Sequence, residues 1–251
     1  MRGKDLRWKD LFNPSSLRTF IIDISKLSEL PMEPKKLQDV FEQKLDLFDV
    51  IVANPGFLEK RAQFLSGIRK SAIMRLDWSN VHRLNANAYP LEIYEPKHVL
   101  ISSSEDALYL GAKAVVVSFI LGFDENLETK NIEMITEVIR ESLRLSMPVI
   151  VDIEPIGQKI MDENFEKACE LGLTMMTEAG ADCVLLPKIS IKMLEKMKDY
   201  REIELIVKLE NVELNYIENV KELVEGFYMD IFNVVKISKG ELEKLFTLVH
   251  N

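Results

Sequence analysis

Four pairs of polar side chains stand two residues apart at the ends of short apolar runs: Asp23 with Ser25, Arg75 with Asp77, Asp152 with Glu154, and Lys208 with Glu210. In an extended chain, residues i and i+2 share a face, so each pair points one way. An amine set among carboxylates suits covalent carbonyl chemistry. A lysine desolvated beside another cation sheds its proton and becomes a nucleophile. A carboxyl whose ionisation is pushed toward neutrality takes and returns protons. Lys208 is the candidate nucleophile, and Glu154, Asp77 and Asp23 are the other candidate catalytic residues. Ser25, Arg75, Asp152, Glu210, Lys236 and Ser238 are candidate substrate-binding groups. The same charges can instead pair with one another and fill a pocket without doing chemistry. The Asp-x-Glu of Asp152 and Glu154 has no His or third acid at close spacing, so neither a metal nor a cofactor is expected.

The elements that must carry these residues follow from the hydrophobic pattern. Short apolar runs predict strands at Thr19–Ser25, Val50–Asn54, Ala72–Asp77, Ala114–Phe119, Val149–Glu154, Cys183–Pro187, Glu204–Glu210 and Phe232–Lys236. Amphipathic stretches between them predict helices at Pro34–Leu47, Gly56–Ser66, Ser103–Leu110, Leu127–Leu145, Glu163–Ala179, Ile191–Tyr200, Val212–Glu225 and Gly240–Val249. Eight strand-helix units in 251 residues make an α/β TIM (β/α)8 barrel, a single domain over residues 1–251. A doubly wound open sheet is the competing architecture and would more often carry a Gly-rich first turn.

Within the strands, one parity is apolar (Phe20, Ile22, Ile24; Val149, Val151, Ile153) and the other turns polar toward the C-terminal end. The apolar parity belongs under helices and the polar one in the lumen, so the paired residues converge on the face where barrel chemistry sits. The long interruption Trp78–Pro96, rich in Asn and Pro, is expected to form a rim or lid.

Composition removes several function classes. The chain has 32 basic and 41 acidic residues, a net charge of -9, against the basic surface that nucleic-acid binding needs. Only 10 residues are Gly, with no GxGxxG or Walker loop. Three histidines lack metal-ligand spacing, and two cysteines make no disulfide framework, which points to a reducing cytoplasm. No apolar run spans a bilayer, and the N-terminal ten residues lack the apolar core of a signal peptide. The expectation is a cytoplasmic protein with no nucleic-acid or membrane partner.

Three stretches resemble class I fructose-bisphosphate aldolases of the bacterial and archaeal type, in the superfamily of deoxyribose-phosphate aldolase. They are LFNPSSLRTFIIDIS (residues 11–25), HVLISSSEDALYLGAKAVVVSFILG (98–122), and a third running from MPVIVDIEPIG to MTEAGADCVLLP (147–187). The resemblance implies a TIM barrel with aldolase chemistry on a small carbonyl or sugar-phosphate substrate, and a homo-oligomer. It also marks departures. The family's Schiff-base lysine falls on Leu185, its first-strand aspartate on Ser25, and its fifth-strand tyrosine on Glu154. Its two phosphate-binding segments fall on Leu209-Glu210 and Lys236-Ile237-Ser238. Lys208 lies where deoxyribose-phosphate aldolases carry a second lysine, and Lys236 is the other amine that could take over. Two expectations stay open: a carbon–carbon lyase with a remodelled site, or an inactive barrel kept for binding or assembly.

Overall fold

Eight parallel strands close into a barrel in a computed structural model that describes residues 3–28, 32–61, 70–83, 93–198 and 202–251. The strands are β1 (Thr19–Asp23), β2 (Val50–Ala53), β3 (Ser71–Arg75), β6 (Ala114–Leu121), β7 (Val149–Pro155), β8 (Cys183–Leu186), β9 (Glu204–Lys208) and β10 (Gly226–Asp230). Going round the barrel, β1 pairs with β2 on one side and with β10 on the other. Between β3 and β6 the chain leaves the barrel as an antiparallel hairpin, β4 (Asp77–Ser79) against β5 (His98–Leu100).

The helices are α1 (Gly3–Lys9), α2 (Pro34–Gln43), α3 (Pro55–Arg61), α4 (Ser104–Tyr109), α5 (Glu125–Leu145), α6 (Phe165–Ala179), α7 (Ile191–Lys198), α8 (Leu214–Val220), α9 (Ile231–Val234) and α10 (Lys239–His250). Local chemistry sets several boundaries. Ser103 and Asp106 close a reciprocal capping box on α4, and the Asp124 side chain accepts from the Leu127 N–H at the start of α5. Gly180 ends α6 in the left-handed conformation. No helix among the described residues is long and apolar enough to cross a membrane.

The two strand parities separate as the alternation requires. Phe20, Ile22, Met74, Val151 and Val207 pack under the helices in one large core. Ile21, Ile73, Ile150, Leu185, Ile206 and Tyr228 fill the lumen. Leu11 is buried at the same inner cluster, with Trp8 and Phe12 packed against it, so the N-terminal segment stoppers one end. The polar ends of the strands lie at the other.

The eighth barrel strand is displaced from its predicted place. Phe232–Lys236 reads as a β-branched run, yet the strand is Gly226–Asp230, and residues 231–234 form the single turn α9. Gly226 is needed where β10 closes on β1, because a Cβ there would lie 2.3 Å from the Thr19 carbonyl oxygen. The shift removes two candidate binding residues from the mouth. The ammonium of Lys236 turns back to the Asn233 side chain at 3.3 Å in an exposed position. Ser238 is the N-cap of α10, its hydroxyl accepting from the Glu241 N–H at 3.3 Å while the Glu241 carboxylate accepts from the Ser238 N–H at 3.0 Å.

Ser238→Ala should therefore act as a lost cap and nothing more. The expected cost is about 1 kcal/mol, a Tm lower by roughly 2–4 °C, with ligand binding at the mouth unchanged. Altered binding in a variant of undiminished Tm would return Ser238 to the site.

Candidate active site

Arg75, at the end of β3, has its guanidinium inside the barrel, 2% exposed. Its five N–H groups form a planar fork that needs acceptors on three sides, and the strand ends supply them. Nη2 donates to Asp23 at 2.9 Å and to Asp152 at 3.1 Å. Nη1 donates to Ser118 at 2.9 Å and lies 3.4 Å from Asp77, and Nε donates to Ser25 at 2.7 Å. Burial alone would lower the guanidinium's pKa, but Asp23, Asp77 and Asp152 raise it well above its ordinary value. Burial works against the ionisation of Asp23 and Asp77, but Arg75, joined by Lys26, Ser25 and Tyr228 at the first and by His98 and the Ser118 N–H at the second, holds both below the usual carboxylate range. Tyr228 on β10 donates to Asp23 at 2.5 Å. Burial and then the Asp23 charge push that phenol well up, so it stays protonated.

This network is the floor beneath a cavity of about 350 Å³. The walls include Lys26, His82, Asp152, Glu154, Lys208 and Tyr228, with Glu210, Asp230 and Asn233 toward the rim. Of the sequence candidates, Lys208, Glu154, Asp152 and Glu210 line it. Asp23, Asp77, Ser25 and Arg75 do not, because Arg75 gathers them below. Asp77 is sealed twice over: its second oxygen accepts from the Ser118 N–H at 2.9 Å and from His98 Nε2 at 2.6 Å. Asp23 and Asp77 thus lie behind the cavity wall, each bound by Arg75.

Lys208, on β9 in register with Tyr228, donates to Asp152 and, at 3.0 Å, to the carbonyl of Ile153. Its side chain keeps 19% exposure toward the cavity. Lining the same cavity is a triad that the strand pattern alone does not show. Lys26, in the 3-10 turn after β1, places its ammonium 2.6 Å from Glu154 Oε1. His82, in a 3-10 turn of the β4–β5 connection, places Nε2 at 3.0 Å from Glu154 Oε2 and 3.1 Å from the Lys26 ammonium. One ring nitrogen facing a donor and an acceptor is a point where a proton can change hands. Burial would raise the Glu154 carboxyl, but Lys26 and His82 bring it well below the usual range. Glu154 is therefore held as a carboxylate, the opposite direction from the one an acid–base carboxyl near neutrality requires.

The oxygens of Asp152 and Glu154 are taken by Arg75, Lys208, Lys26 and His82, and among the described residues no three His, Cys, Asp or Glu side chains converge as a metal cage. Burial pushes the Cys169 thiol up to about 12, which makes it a poor nucleophile. Lys26 and His82 were out of reach of strand alternation because turns carry them. The one sequence signal for His82 is its place in the loop-forming stretch Trp78–Pro96, of which residues 84–92 lie outside the described residues.

Comparison with known proteins bears on this pocket. A family model described as DeoC/LacD family aldolase matches residues 35–247. No curated protein matches the sequence. Among solved structures, an archaeal fructose 1,6-bisphosphate aldolase superposes with a TM-score of 0.76 at 19% identity, covering 99% of each chain. A second archaeal enzyme of that name, with its catalytic Lys covalently bound to the carbinolamine intermediate, gives 0.77 at 20% over the whole of both chains. A fructose-bisphosphate aldolase from Slackia heliotrinireducens gives 0.70 at 12%, over 98% of this chain and 85% of its own. At such identities the likeness speaks for the barrel fold.

Proposed function

The chain belongs to the DeoC/LacD aldolase family, and from that premise we propose that it is a carbon–carbon lyase acting on a small carbonyl compound through the amine of Lys208. The observation that carries the reading is the composition of one cavity: an amine on β9 shares the walls of about 350 Å³ with Glu154 and His82. The β8 position, by contrast, is Leu185, buried in the lumen.

In this reading, Lys208 gives a proton to Asp152, its lone pair adds to the substrate carbonyl carbon, and a second proton passes from the nitrogen to the oxygen. Asp152 then returns its proton to that hydroxyl, which leaves as water, and an iminium remains. His82, backed by Glu154, then accepts the proton of the β-hydroxyl. The electron pair of the carbon–carbon bond moves toward the iminium nitrogen, and an aldehyde leaves. The enamine takes back a proton, and water releases the second product and the free amine. Lys26 keeps Glu154 ionised through the cycle.

A second reading, an inactive barrel that keeps its pocket for binding, is favoured by the fact that each of Lys26, Arg75 and Lys208 already has a carboxylate partner. Borohydride trapping separates the two. Wild-type protein incubated with a panel of ketoses and aldehydes should gain the mass of a reduced adduct, and folded Lys208→Met should lose at least 90% of that labelling. No adduct with any carbonyl, or undiminished labelling in the variant, overturns the assignment.

A further inference from the structure

The pocket's charges also bear on what else the substrate carries, an inference that rests on the carbonyl reading above. His98, on β5, has a side chain 1% exposed, with Nε2 2.6 Å from an Asp77 carboxylate oxygen and Nδ1 2.9 Å from Asn131 Oδ1. The Asn131 amide is fixed in orientation, because its oxygen also accepts from the Ile120 N–H and its nitrogen donates to the Leu127 carbonyl. Both imidazole nitrogens therefore face acceptors, and both must carry protons. With His98 counted as a cation, Arg75, His98, Lys26 and Lys208 stand against Asp23, Asp77, Asp152 and Glu154. Each of these cations already has a carboxylate partner, and so has Lys188, another lysine of the cavity wall, in Glu213.

The ends of the last two strands reinforce this. A TIM barrel usually takes a phosphate in the loops after its seventh and eighth strands, at the N-terminus of a short extra helix. Here β9 runs into Leu209, buried, whose N–H is spent on the Tyr228 carbonyl at 2.8 Å. Glu210 follows at the cavity rim. After β10, Asp230 accepts from the Asn233 N–H and from the Asn233 side-chain amide, both at 2.9 Å. The protein's own carboxylate thus occupies the first turn of α9. No glycine lies between Gly180 and Gly226 or between Gly226 and Gly240, so no bare backbone opens a cradle there.

We infer that the pocket takes an unphosphorylated hydroxycarbonyl compound and that Glu210 and Asp230 turn phosphorylated analogues away. Hydroxyl groups satisfy these carboxylates as donors, whereas a phosphate dianion meets like charge on both strand ends.

Trapping with dihydroxyacetone and with dihydroxyacetone phosphate, at equal concentration and read by intact mass, tests this directly. The expected result is at least tenfold more labelling by the unphosphorylated compound, with Glu210→Lys narrowing the ratio at least threefold. Equal or greater labelling by the phosphate, or a ratio unmoved in the variant, overturns the inference while leaving the Lys208 chemistry standing. If neither compound labels, calorimetry with glycerol and glycerol 3-phosphate, which have no carbonyl, decides selectivity alone, and the wider carbonyl panel decides the lyase reading. Tighter binding of glycerol upholds the charge argument; tighter or equal binding of glycerol 3-phosphate, or no binding of either, overturns it.

Discussion

Arg75→Met should cost about 3–5 kcal/mol, because it leaves the carboxylates of Asp23, Asp77 and Asp152 in the barrel without the cation that binds all three. Whole domains are stable by only about 5–15 kcal/mol, so the loss is a large share of the total. For a chain of this length it corresponds to a Tm drop on the order of 10 °C at neutral pH. Methionine fills similar space and removes the five donors, which isolates charge from packing. Arg75→Lys keeps one charge but cannot present a planar fork to acceptors on three sides, and should fall between the two.

The pH dependence checks the cause. In the wild type, Asp23 and Asp77 ionise below their ordinary values. The stability they contribute is present above about pH 4 and fades as the pH falls through their lowered folded values. Without Arg75 the buried carboxylates prefer their protons, so the variant gains relative stability on acidification. The difference in Tm should shrink between pH 7 and pH 4. A variant within about 2 °C of wild type at pH 7, or a gap that widens in acid, would show that Arg75 does not hold the mouth together.

Much of this floor was legible in the sequence because alternation in a strand is rigid. Once Ile73 points into the lumen, Arg75 must also, and the same holds for Ile150 with Asp152 and Ile206 with Lys208. What alternation does not carry is depth. Whether a polar strand end meets solvent or a guanidinium depends on the stagger between strands and on one long side chain reaching across the lumen. Arg75 does so, and Asp23 and Asp77 become floor instead of wall. Residues on turns are harder still: Lys26 and His82 follow no period, and only the closed barrel brings a turn after β1 against a turn after β4. Tyr228 was hidden for a different reason. The more β-branched Phe232–Lys236 took the strand's place, whereas closure against Thr19 requires Gly226.

His98 should titrate above the ordinary histidine value, and Tm should depend on its charge. Burial lowers the tendency of its ring to hold a second proton, but the hydrogen bond and charge of Asp77, with the Asn131 acceptor, raise its pKa above the ordinary histidine value. A folded pKa above the unfolded value of about 6.5 gives stability that is complete below that value and is lost as pH rises through the folded one. His98→Leu removes the cation from Asp77 and the donor from Asn131, both inside the protein. A hydrogen bond to a charged group contributes about 1.5–3 kcal/mol, and Asp77 keeps Arg75 and the Ser118 N–H, so the expected cost at pH 6 is at the lower end of the buried-pair range, about 3 kcal/mol. The gap between wild type and variant should be greatest near pH 6 and contract in alkali as the wild-type ring loses its proton. The imidazole resonances of wild-type protein, assigned by their loss in His98→Leu, report the titration itself. A midpoint at or below the ordinary histidine value would mean that His98 is neutral in the fold. Asp77 would then owe its ionisation to Arg75 and the Ser118 N–H.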